Sequence, residues 1–122
     1  MPTVYLSNMS NMHKYSEAAQ YGAIRPLTAG NYPIFKTVRL LEEIVDGLVE
    51  STDEDYLLLS GSSVIAGLCV AVWLQKHREC KLLLFDRKAG ESGKYVVRVV
   101  TRDDIVLNIE KAKDRAAYRE SA

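Results

Sequence analysis

Hydrophobic and polar positions divide the chain into alternating short and long segments. Residues 3–7 (TVYLS) are β-branched and aromatic and predict a first strand. Residues 16–21 predict a short helix with Ser16 as its cap, closed by Gly22. Residues 23–28 read as a second strand, and Pro26 within it points to an edge position. From Thr37 onward, Val38, Leu41, Ile44, Val45, Leu48 and Val49 recur at helical spacing, with Glu42, Glu43, Asp46 and Glu50 on the other side. Residues 56–59 and 81–85 are apolar without alternation, as strands buried on both faces are. Residues 63–77 predict a helix that is apolar nearly all round. Residues 89–93 (AGESG) form a turn into a strand over 95–101. A last helix, capped by Asp103 or Asp104, carries Ile105, Ile109, Ala112 and Ala116 on one stripe.

Strands alternating with helices imply right-handed crossovers and a mainly parallel sheet. The short turn at 89–93 pairs the last two strands antiparallel. The expected fold is therefore α/β: one small three-layer Rossmann-like domain over residues 1–122, mostly parallel, with an antiparallel edge hairpin. The length of 122 residues suits one domain with a sizeable core.

Charge narrows the partners. Sixteen basic residues balance sixteen acidic ones, so the bulk basic excess of a long-nucleic-acid binder is missing. The longest apolar run, 64–74, is too short to span a bilayer. Cys69 and Cys80 lack the spacing of a metal site or disulfide framework. Those two thiols fit a reducing, cytoplasmic setting. The acidic stretch from Glu42 to Asp55 contains no His or Cys and reads as a solvated face, so no metal and no cofactor is expected.

In an open α/β sheet, ligands bind beyond the carboxyl ends of the strands. Those ends here carry Ser7 and Asn8, then Asn31 in the loop after strand two, then Ser60, Gly61, Ser62 and Ser63, then Asp86 and Arg87. Gly61 permits close backbone approach, and the start of the following helix favours an anion. The expected ligand is small, anionic and nucleotide-like, with Tyr15, Tyr21 and Tyr32 near the rim as stacking faces. The alternative is plain: Ser62 or Ser63 caps the helix and Gly61 relieves a corner. The turn has neither the Lys of a phosphate-binding P-loop nor the glycines of a dinucleotide fingerprint. A hydrolase would need a base. His77 lies at the far end of the helix, roughly 20 Å away, where it would complement the helix dipole. That leaves His13, in the loop after strand one, as the candidate acid–base residue.

Three stretches together resemble the viral ring nucleases, small phage and archaeal-virus proteins that bind and cut cyclic oligoadenylate signals of host immunity. They are VYLSN (4–8), LSGSSVIAGL (59–68) and KLLLFDRKAGESGKYVVRVV (81–100). That family places a catalytic His directly after the glycine, where this chain has Ser62. The resemblance therefore implies binding of a nucleotide signal, with sequestration or slow degradation, in the cytoplasm of an infected host. A different class of function also fits. The apolar helix exceeds what a small sheet can cover, and its excess face, Trp73 included, predicts a homo-oligomer, most simply a twofold dimer. In that case the protein is a non-catalytic interaction module.

Overall fold

The structure, a computed structural model, describes residues 1–10 and 15–121. Its strands are β1 (Thr3–Leu6), β2 (Ala23–Pro26), β3 (Tyr56–Leu58), β4 (Glu79–Asp86) and β5 (Lys94–Thr101). Its helices are α1 (Thr37–Gly47), α2 (Ser63–Lys76) and α3 (Arg102–Ser121), with a 3-10 helix at Ala18–Tyr21. The strands form one sheet in the order β2-β1-β3-β4-β5. Its first four strands run parallel, and β5 is antiparallel to β4. This is the mixed α/β, Rossmann-like arrangement that the alternating segments predict.

The two faces of the sheet are covered unequally. Tyr5, Leu57 and Cys80 pack with Leu40, Ile44 and Leu48 from the α1 segment and Ile65, Cys69 and Trp73 from α2. Val4, Leu6, Leu58, Leu83 and Tyr95 form the second cluster, with Ala18 of the 3-10 helix. Tyr15 and Tyr21 close over that cluster, so the third layer is thin. Apolar residues are needed on both sides of β1 and β3, which is why neither strand alternates.

Trp73 is only 1% exposed within the single chain, so no second subunit is needed to cover it. Its ring meets Tyr5 edge-on, and its indole N–H donates to the Glu79 carbonyl at 3.0 Å. Burying a ring of this size contributes roughly 4–6 kcal/mol at about 25 cal/mol per Å². α2 packs against α1 on one side and against the sheet, chiefly β4, on another. Its remaining outward face is small-residued, at Gly67 and Ala71.

Four expectations are corrected in detail. The buried stripe of α1 is Leu40 and Ile44, continued by Leu48, whereas Val38, Leu41, Val45 and Val49 are exposed. The i, i+4 row alone reaches the core, and the second apolar row faces solvent. α3 begins at Arg102, and the Thr101 hydroxyl accepts from the Asp104 N–H at 3.0 Å, so Thr101 rather than an aspartate caps it. Asp55 is not part of a solvated face. It is buried, and its carboxylate accepts from the N–H groups of Thr3 and Thr52, each at 2.8 Å. Strand β4 also departs from full burial, because Leu84 and Phe85 are exposed where the hairpin outruns its neighbours.

Candidate functional site

The connection from β1 runs to β2 on one side of the sheet, and the connection through α1 returns to β3 on the other. Strand order therefore reverses between β1 and β3, and the crevice beyond their carboxyl ends is the usual ligand position of such sheets. The residues there are Ser7 and Asn8 after β1, and Ser60, Gly61 and Ser62 after β3.

Ser7 extends the β1–β3 ladder past the strand ends. Its hydroxyl donates to the Ser60 carbonyl at 2.8 Å and accepts from the Ser60 N–H at 2.7 Å. Asn8 is tied to the β2 side: its amide donates to the Gly30 carbonyl at 3.2 Å, and its Oδ1 lies 2.8 Å from the Thr28 hydroxyl. Ser7 and Asn8 are both buried, and their polar groups are spent holding the three strand ends together. Gly61 sits above Asn8 with φ of +82°. Ser62 is the α2 N-cap: its hydroxyl accepts from the Val64 N–H at 3.2 Å. Its capping role was the bland alternative for the turn, and it does not consume the other N–H groups that a helix start leaves unpaired. Ser63 is exposed in the first turn.

Two open cavities meet at Gly61. One, of about 590 Å³, is lined by Tyr15, Ser60, Phe85, Arg87 and Tyr95 among others. The second, of about 860 Å³, is lined by Asn8, Asn31, Tyr32, Gly61 and Ser62 among others. Of the seven ligand-binding candidates, Asn8, Asn31, Ser60, Gly61 and Ser62 therefore come together, while Ser7 and Ser63 line neither cavity. His13 lies outside the described residues. Among the expected rim aromatics, Tyr15 is positioned by a 2.9 Å hydrogen bond between its phenol and the Ser60 hydroxyl. Tyr32 donates to the carboxylate of Glu43. Tyr21 is drawn away to the Tyr95 carbonyl. Arg25 belongs to the far edge, where it pairs with Glu50 at 3.5 Å.

Phe85 and Tyr95 were not anticipated. They are register partners across the hairpin, stacked edge to face at 5.2 Å. The signal was present in the spacing of the two strands about the 89–93 turn, which puts both rings at the same height as the β3 end. Burial, followed by the nearby Tyr15 and Glu17, pushes the Tyr95 phenol above its ordinary pKa. It is therefore neutral and a hydrogen-bond donor at neutral pH. Arg87 follows directly and is exposed at the mouth of the same cavity.

A second polar centre stands at the opposite end of the sheet. His77 Nε2 lies 2.8 Å from the Ser51 hydroxyl, and its Nδ1 lies 2.8 Å from Asp53. The sequence of groups matches that of a Ser-His-Asp triad. The Ser51 hydroxyl, however, is buried, lies 2.7 Å from the Leu48 carbonyl and is overlain by Lys76 Nζ at 3.2 Å. It has no room to meet a substrate. The group clamps the end of α2 to the end of α1, a larger role for His77 than complementing a helix dipole. Among the described residues, no three His, Cys, Asp or Glu side chains are grouped to hold a metal ion.

Sheet order, crevice and paired cavities define a Rossmann-like α/β protein with an open cleft at its strand carboxyl ends. The chain belongs to the phage Pam3 gp32-like protein family, whose profile matches residues 3–99, from β1 through most of β5. It is thus a phage-type protein. No curated protein and no solved structure matches the chain. No described helix is long and apolar enough to cross a membrane.

Proposed function

We propose that the protein binds a small anionic nucleotide-type ligand in the cleft about Gly61, and that it acts in a phage setting by sequestering or slowly degrading a nucleotide signal of host defence. The observation that carries this reading is the meeting of two cavities at one glycine, one with Phe85, Tyr95 and Arg87 in its lining and the other with Asn8, Asn31 and the start of α2. On the β4 side, Phe85, Tyr15 and Tyr95 supply aromatic surface, and Arg87 supplies positive charge. A base stacked on an aromatic ring gains about 1–3 kcal/mol. On the β2 side, the start of α2 and Asn31 supply hydrogen-bond donors for a phosphate. A ligand with both a base and a phosphate uses both halves at once. The phage family and the resemblance to ring nucleases favour a cyclic nucleotide as the ligand. With Ser62 occupied as a helix cap and no His following Gly61, sequestration is favoured over rapid cleavage.

The test is calorimetric titration of the purified protein with linear and cyclic nucleotides, with the products separated by chromatography. Saturable binding of at least one nucleotide is expected, with little or no turnover. Absence of binding across the panel by a folded protein overturns the reading. Turnover lost in His13→Ala would shift it from sequestration to cleavage.

A further inference from the structure

α3 is the least accounted-for element of the molecule. It has 20 residues, about 30 Å of helix, and none of them is buried. Its hydrogen bonds to the body lie in the first turn. There the Arg102 guanidinium donates to the Leu74 carbonyl at 2.6 and 3.0 Å, and the Arg102 N–H donates to the Arg78 carbonyl at 2.7 Å. Beyond that turn, Ile105 is 39% exposed and Ile109 is 49% exposed. A helix with no packed face is marginal in water, because propagation barely repays nucleation without tertiary contacts. The pattern on α3 is that of a helix that has such contacts. Ile105, Ile109, Ala112 and Ala116 are spaced four, three and four, the repeat of a two-helix seam. The small alanines allow close approach at one end of the stripe, and the isoleucines fill space at the other.

Charge selects the occupant. The first half of α3, residues 102–110, carries one cation and three carboxylates: Arg102 against Asp103, Asp104 and Glu110. The second half, residues 111–121, carries four cations and two carboxylates: Lys111, Lys113, Arg115 and Arg119 against Asp114 and Glu120. The helix is therefore complementary to itself when reversed. We infer that α3 pairs with α3 of a second copy, antiparallel, making the protein a twofold dimer through an element that lies outside the family match. In that arrangement Ile105 of each copy meets Ala116 of the other and Ile109 meets Ala112, so large faces small in every layer. Acidic halves lie on basic halves, and the helix dipoles oppose. A parallel pair would set like charge on like along its whole length. The apolar hollow between β5 and α3, lined by Val99, Ile105, Ile109 and Ala112, continues the seam onto the body of each copy. The inference stands independently of any ligand in the cleft.

Sedimentation equilibrium of the full chain tests it. The expected mass is twice that of the 13.7 kDa chain, falling to the single-chain value in Ile109→Lys. Trp73 emission reports the core and should be unchanged in that variant. Two single-cysteine additions test the direction of pairing. Ala112→Cys lies near the dyad and should form an intermolecular disulfide. Ala116→Cys should not, since its copies stand far beyond the roughly 7 Å Cα separation a disulfide tolerates. The native thiols are buried and do not compete. A monomer at all concentrations overturns the inference. So does equal crosslinking at both positions, which indicates parallel helices. A dimer that survives Ile109→Lys also overturns it, since that dimer uses another surface, such as the exposed Val38, Leu41 and Val45 of α1.

Discussion

Gly61 rests directly on the side chain of Asn8: a Cβ at position 61 would stand 2.6 Å from Asn8 Nδ2 and 2.9 Å from its Cβ. The glycine is thus required by the protein's own packing at the point where β1 and β3 end, before any ligand is considered.

Gly61→Ala is expected to destabilise the fold by more than the ~1–2 kcal/mol of left-handed backbone strain alone, because Asn8 must also move. In an Asn8→Gly background, which removes the Asn8 Cβ as well as the amide, the further cost of Gly61→Ala should shrink toward the strain term. The double-mutant cycle by urea denaturation measures this coupling, and additive losses would show that the contact carries no energy.

Arg87 and Ser62 should separate binding from stability. Arg87 is exposed, so Arg87→Ala should leave the urea midpoint nearly unchanged while lowering nucleotide affinity ~10- to 150-fold, the range of one charged hydrogen bond. Ser62→Ala removes the α2 cap and should cost about 1 kcal/mol of stability with or without ligand. Equal affinity in wild type and Arg87→Ala would remove the arginine from the site.

Lys76 binds the end of α1. Its ammonium donates to the carbonyls of Leu48, Val49 and Ser51 at 2.8, 2.6 and 2.9 Å. Lys76→Met should lower stability by roughly 2–3 kcal/mol, as hydrogen bonds from charged donors do. Lys113→Met, which loses only an exposed pair with Glu110 at 3.6 Å, should cost about 0.5 kcal/mol or less. Thermal melts of the two variants make the comparison.

Burial raises the thiols of Cys69 and Cys80 from 9.0 to about 12. The folded state therefore holds these protons more tightly than the unfolded chain does. The associated stability is fully present below pH 9 and is lost as pH rises toward 12. Denaturant midpoints should fall across that window, and less steeply in the Cys69→Ala, Cys80→Ala double variant. Neither thiol should react with an aromatic disulfide reagent until the protein unfolds.

The alternation of elements was legible because β1, β3 and α2 are each nearly all apolar, so segment length alone separates strand from helix. The crevice was legible for a related reason: small polar residues interrupt apolar strands only at their carboxyl ends. What Ser7 and Asn8 do there was hidden, since their partners Ser60, Thr28 and Gly30 are brought close only by strand pairing, whereas the Ser62 cap, a contact with Val64 two residues on, was one of the two roles the sequence offered. The buried row of α1 was misjudged because Leu40 sits beside a longer apolar row, and only the position of the sheet decides which row is covered. His77 was placed by its position on α2, while its partners Ser51 and Asp53 come from a turn whose charges look solvated in one dimension.

β1 is an interior strand, although it comes first in this sequence. β1 is flanked by β2 and β3, and its Thr3 N–H is held by Asp55, 52 residues later. During synthesis β1 can pair with β2 first, but its other edge stays open until β3 has followed. The β4–β5 hairpin closes through a short turn with eight register pairs and needs no distant segment. Local closure is fast and distant closure slow. In refolding from denaturant, amide protection should thus arise first in the last strands and last in β1, so the protein acquires its order in the reverse direction to its synthesis.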